Sequence, residues 1–274
     1  MPKLLPPLPL ADWQPTRRTL HSYVQVLGAV RAALAPRQKQ AYHLSLRLPA
    51  TGLTTPPLPA DPHTFELRLD LTEHLAELVT SQGAQWYQTL TGQPGAEFYE
   101  QVVFGLREVG VSANVERPPL ATPEGGPYDQ EAVGRFWSAL AQIDQVLKRF
   151  RAEQREETGA VQFWPHGFDL ACLWFSGRKV PGQDPAHAAR ADEQMNFGFS
   201  TGDGGIPEPY FYATAYPLPP ALSAAPWPAD VHWHNQAWNG AVLPYARLVG
   251  APDAEDRLLN CWRTFQRAGA ALMR

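Results

Sequence analysis

Only two cysteines occur in 274 residues, Cys172 and Cys261, which is too few for a disulfide framework. Cys172 falls in a predicted strand and Cys261 in a predicted helix, as expected of buried free thiols in a reducing compartment. Lysine is almost as scarce, at 4 against 19 arginines. Lys+Arg total 23 against 27 Asp+Glu, a net charge of −4, and no basic run gathers into the footprint that a phosphate backbone requires. No apolar run approaches the roughly 18 residues of a membrane-crossing helix. Residues 1–10 are too short and too broken by proline to form the core of a signal peptide. These absences predict a cytoplasmic protein with neither nucleic acid nor membrane as partner, long enough to bury a sizeable core without a metal or disulfide staple.

The familiar catalytic signatures are missing too. There is no His-Glu-x-x-His, no Cys-x-x-Cys and no Walker loop, and no cofactor is indicated.

What is present is alternating helical and strand periodicity. Leu20, Tyr23, Val24, Leu27, Val30 and Leu34 predict a helix over 16–35, closed by Pro36. Period-two alternation over 43–48 and 65–71 predicts strands with one face on a core, continued by 75–80 and 85–90 across the Ser81-Gln82-Gly83 turn. Phe98, Val102, Leu106 and Val109 mark a second helix ending at Gly110. The longest helix is expected to carry Val133, Phe136, Trp137, Leu140, Ile143, Leu147 and Phe150. Strands follow near 161, 168–175, 193–199, 208–216, 231–234 and 242–248, then a last helix opened by Asp253 as its cap. Runs of strands with helices at their ends predict an α+β fold, antiparallel sheets with about four helices packed on them. The order suggests two helix-strands-helix halves of one unit, 1–117 and 128–274, joined by the Pro/Gly-rich segment 118–127.

Three segments, Trp164-Pro165-His166-Gly167-Phe168-Asp169-Leu170-Ala171, Gly198-Phe199-Ser200-Thr201-Gly202-Asp203 leading to Glu208-Pro209-Tyr210-Phe211-Tyr212, and Trp238-Asn239-Gly240-Ala241-Val242-Leu243, resemble a bacterial family of uncharacterised proteins, a domain of unknown function, family 5996. The stretches Leu10-Ala11-Asp12-Trp13 and Asp144-Gln145-Val146-Leu147 extend the resemblance over nearly the whole chain. It implies no activity, cofactor or partner.

Candidate site residues concentrate in the second half. Asp169 lies in a strand apolar on both faces, where an ionised carboxylate needs a partner; Arg178 and His166 are its neighbours in sequence. His166 and Asp169 are therefore candidate acid-base groups and Arg178 an anion clamp. Ser200 and Asp203 belong to a glycine-dense loop that can bring backbone amides close to a ligand, although hairpin connections commonly look the same. Glu208, Tyr210 and Tyr212 share one strand face and, with Asn239, could wall a pocket or form an ordinary sheet face. His232 and His234 have metal-site spacing but need a third ligand from His166, Asp169, Glu193 or Glu208. Lys148 and Arg151 are reserve candidates, with Lys148 paired to Asp144 one turn away. Three readings stay open: a small-molecule-binding protein or enzyme, an interaction protein using its 9 Trp, 9 Tyr and 12 Phe as a contact surface, and a metal-dependent hydrolase.

Overall fold

The computed structural model describes residues 5–187 and 189–273, and these form two compact units that are discontinuous in sequence. The N-terminal unit comprises Ala11–Trp137 and Gln162–Phe168; the C-terminal unit comprises 5–10, 138–161 and 169–273. Both combine helices with antiparallel strands, an α+β arrangement.

In the N-terminal unit, helix α1 (Leu10–Leu34) buries Leu20, Tyr23, Val24, Leu27 and Val30 completely, the stripe that its spacing predicts. It begins six residues earlier than expected and carries Pro15 inside it, at the cost of one intrahelical bond. At 25 residues it is longer than α3 (Gln130–Ala152), which has 23 and was expected to be the longest. Strands β1 (Gly52–Thr54), β2 (Leu58–Ala60), β3 (His63–Asp70), β4 (Leu75–Thr80) and β5 (Gln85–Thr89) form a sheet ordered β1-β3-β4-β5, with β2 also on β3. Helix α2 (Gly95–Glu108) packs closely on β5, where a Cβ on Gly105 would lie 2.4 Å from the Trp86 ring.

The strand expected over 43–48 does not form. Residues Lys39–Leu44 make a 3₁₀ turn in which Gln40 and Ala41 adopt φ of 53° and 56°, so the alternation survives only as single bridges from Leu46 to Phe163 and from Arg47 to Thr54. Phe163 lies in β6 (Gln162–Trp164). Phe168 also takes a left-handed φ, 52°, costly for a bulky side chain. Its fully buried ring offsets that cost against Phe136 (5.3 Å), Phe163 (5.3 Å) and His21 (4.9 Å), with the Arg17 guanidinium 5.3 Å above it.

In the C-terminal unit, β7 (Asp169–Lys179), β8 (Asp192–Ser200), β9 (Tyr210–Tyr216), β10 (His232–Asn235) and β11 (Asn239–Pro244) are ordered β10-β11-β9-β8-β7. Helix α4 (Ala254–Leu272) buries Leu258, Leu259, Trp262 and Phe265. Residues 138–152 of α3 are tied to α4 by Arg149 to Glu255 (2.6 Å), and Arg263 reaches both oxygens of Glu153 just beyond the helix end. Asp253 does not cap α4 with its side chain; it faces Arg257 at 3.8 Å instead. Asp144 is 4% exposed, its carboxyl raised by burial, and Lys148 bonds it at 2.5 Å. Cys172 and Cys261 are both buried free thiols pushed up to about 12 by desolvation.

His21 provides a test of the N-terminal packing. Its Nε2 donates to the Pro165 carbonyl at 2.8 Å, and burial lowers the imidazole from 6.5 to about 4. Between those values the unfolded chain binds the extra proton, so folding stability falls as pH drops through 6.5 toward 4, by up to about 3 kcal/mol. His21→Gln, which keeps an N–H donor but cannot titrate, is expected to flatten that decline, measured as urea midpoint against pH.

Candidate functional site

The C-terminal sheet has two unlike faces because residues paired across antiparallel strands share a face and alternate along each strand. One face carries Leu170 and Cys172 of β7, Met195, Phe197 and Phe199 of β8, and Phe211 of β9. It meets the helices through Phe150 to Phe197 (4.7 Å), Phe197 to Phe265 (5.8 Å) and Phe211 to Trp262 (6.0 Å). The other, polar face holds Asp169 of β7, Gln194, Asn196, Gly198 and Ser200 of β8, Tyr210, Tyr212, Thr214 and Tyr216 of β9, and His232 and His234 of β10, with Ala171, Leu173 and Phe175 of β7 and Val242 of β11 as its apolar members.

Two tyrosine-carboxylate pairs close one end of this polar face. Asp169, Ser200 and Tyr210 stand side by side in register. Tyr212 reaches across β8 to donate its hydroxyl to Asp169 Oδ2 at 2.6 Å. The neighbouring strand position must be glycine, since a Cβ on Gly198 would lie 2.5 Å from the Tyr212 oxygen. Tyr210 donates to Asp203 Oδ2, also at 2.6 Å. Burial first, and then the accepting carboxylates, push both phenols above their ordinary range, so both remain protonated donors at neutral pH.

The glycine-dense loop uses its own amides. Asp203 Oδ1 accepts the N–H groups of Gly205 (2.7 Å) and Ile206 (2.9 Å), Asp203 N–H donates to the Ile206 carbonyl, and Gly202 N–H bonds Ser200 Oγ. The loop is an Asx-type turn that orients Asp203 toward Tyr210.

Trp238, in the turn between β10 and β11, folds back over the polar face. A Cβ on Gly240 would meet its ring at 2.8 Å. The indole stacks on Tyr210 (6.2 Å, 19°), meets Tyr212 edge-on and lies 4.5 Å from His234. His234 is 8% exposed and its Nε2 has no hydrogen-bond partner. Asn196 Oδ1 and Gln194 Oε1, on the same face, are also buried and unpartnered, although Gln194 Nε2 donates to Ala189 O.

Five of the candidates from the sequence, Asp169, Ser200, Asp203, Tyr210 and Tyr212, are thus brought together. Four are not. Arg178 lies nine residues further along the strand, about 30 Å if straight, where it is exposed and bonded to Glu193 at 2.8 and 2.9 Å. Proximity in sequence misplaced it, because a strand carries its residues steadily apart. His166 belongs to the N-terminal unit, exposed and edge-on to Trp164. Glu208 is exposed and precedes β9, since Pro209 lacks the N–H that would extend the ladder. Asn239 is exposed at the start of β11, paired with Asn235.

His232 is exposed, its imidazole lowered by burial and by His234. Among the described residues no group of three or more His, Cys, Asp or Glu side chains is assembled, so the pair finds no third ligand. Of the reserve candidates, Lys148 is held by Asp144, and Arg151 donates to Thr158. Trp238, Asn196 and Gln194 were not singled out from the sequence as site residues; the polar alternation of Gln194 and Asn196 between Met195 and Phe197 is the signal that marks them.

Removing the Tyr212 hydroxyl tests the first pair. Tyr212→Phe is expected to lower stability by about 1 kcal/mol, the usual worth of an intramolecular hydrogen bond, seen as a lower urea midpoint at unchanged slope.

Among the described residues no helix is long and apolar enough to cross a membrane. No curated protein and no solved structure matches the chain. The model of a family described as "Family of unknown function (DUF5996)" matches residues 5–274. With nearly its full length matched, the chain belongs to that family.

Proposed function

We propose that the polar face of the C-terminal sheet binds a small polar metabolite with several hydrogen-bonding groups and one flat, weakly polar side. The observation that carries this reading is the set of buried, unpartnered polar atoms on one sheet face: Gln194 Oε1, Asn196 Oδ1 and His234 Nε2. A buried polar atom without a partner costs about 1–3 kcal/mol, so three on one face favour a ligand that supplies their partners. His234 stands opposite Gly240 on β11 and Asn196 opposite Thr214 on β9, a separation of three strand spacings or about 14 Å. That span suits a metabolite rather than a macromolecule, and Trp238 beside Tyr210 offers a flat surface for its less polar side.

Binding is favoured over acid-base catalysis here because both tyrosines hold their protons and each donates to a carboxylate. The reading as an aromatic contact surface has less support. None of the nine tryptophans is exposed, and the exposed large aromatics among the described residues are Tyr87 and Phe104, at 50% and 55%.

The test is a thermal-shift screen of polar metabolites against the wild type, His234→Phe and Asn196→Leu. A true ligand at about a hundred times its Kd adds about 2.7 kcal/mol, a rise on the order of 5–10 °C for the wild type, and much less for either variant. If no metabolite shifts the wild type, and both variants melt higher because an unsatisfied polar group has gone, the face is structural and the proposal fails.

A further inference from the structure

The N-terminal unit contains a buried cation without a counter-charge. Arg31, in the last turn of α1, is 2% exposed. Its Nη2 donates to the Tyr42 carbonyl at 2.6 Å, while Nε and Nη1, both buried, have no hydrogen-bond partner. A guanidinium has five N–H donors and does not lose its charge in proteins, so these nitrogens must be met by an acceptor or leave a penalty of several kcal/mol. The Tyr42 carbonyl is already crowded, accepting also from Ser45 Oγ (3.0 Å) and Ser45 N–H (3.4 Å). The helix C-terminus favours a positive charge in general but supplies no acceptor to the two free nitrogens.

The charge that acts on Arg31 makes the imbalance worse. Arg47 acts on Arg31 as a like charge and, with burial as the larger cause, lowers it to about 10, still cationic at neutral pH. Among the described residues no carboxylate forms an ion pair with either arginine. One buried and one exposed guanidinium, the second acting electrostatically on the first and neither in an ion pair with a described acid, form the pattern of an anion site reached from the exposed member.

We propose that Arg31 and Arg47 bind a small oxyanion, a phosphate or a compact carboxylate, in the N-terminal unit. Arg31 is the buried anchor and Arg47 the exposed partner. This site is separate from the polar sheet face and does not depend on its being a ligand site.

Isothermal titration of the whole protein with inorganic phosphate, sulfate and acetate, each against sodium chloride at matched ionic strength, tests the proposal. The expected result is saturable one-to-one heat with Kd of about 1 mM or tighter for at least one oxyanion. Affinity should be about threefold weaker in Arg47→Gln, the worth of one exposed charge, and heat absent in Arg31→Met. Which of phosphate, sulfate or acetate binds tightest separates a phosphate-type from a carboxylate ligand. Lack of saturable heat with the wild type means that water satisfies the guanidinium and overturns the proposal. Unchanged affinity in Arg31→Met overturns it as well, by locating the anion elsewhere. If Arg31→Met does not fold, Arg47→Gln decides alone, and unchanged affinity there rejects the site.

Discussion

A side chain on a β-strand can point in only two directions, and in the C-terminal sheet the helices claim one of them. Phe197, Phe199 and Phe211 must face α3 and α4 to leave water, and each such aromatic contributes on the order of 2–3 kcal/mol by doing so. That requirement fixes the register of the strands, since a slip of one residue would turn the aromatics outward. It also fixes what stands on the reverse: Gln194, Asn196, Ser200, Tyr210 and Tyr212 share a face because their neighbours in sequence are committed to the core. The candidate site follows from core packing, with Gly198 and Gly240 leaving room for Tyr212 and Trp238 to fold over the strands.

Much of the fold was legible for the same reason. Period-two and helical spacings record which residues are buried, and they located β3, β4, β5, α2, α3, β8 and α4 to within a few residues and α1 apart from its first six residues. They failed where local backbone overrode periodicity, at Gln40 and Ala41, whose left-handed turn cuts short the strand expected over 43–48. The candidate site was legible along strands and illegible across them. Tyr210 and Tyr212 declare their common face in the sequence, and Asp169 stood out as an acid in an apolar strand. Nothing in the sequence states that Asp169 comes opposite Ser200, or that Trp238 folds onto Tyr210, because pairing register and turn geometry belong to the tertiary structure. Arg178 shows the converse error, a residue close to Asp169 in number and far from it in space.

The two units handle buried polarity differently. In the C-terminal unit the half-buried Asp169 and the buried Asp144 have donors at hand, Tyr212 and Lys148. In the N-terminal unit His21 avoids the cost of burial by staying neutral, an escape closed to Arg31. Among the unsatisfied groups are two amides and an imidazole on the sheet and a fixed cation in the last turn of α1. Each kind recognises a different chemistry.

The segment Gln162–Phe168 belongs to the N-terminal unit although it follows residues 138–161, which belong to the other. Its Phe168 ring is the centre of the cluster formed with Phe136, Phe163 and His21. On the ribosome, where chains fold from the N-terminus as they emerge, this unit therefore has no central aromatic ring until Phe168 has been made. Its α1 and first sheet wait through the synthesis of a helix that serves both units. The order in which the molecule is built is thus set less by where its elements begin than by when one phenylalanine arrives.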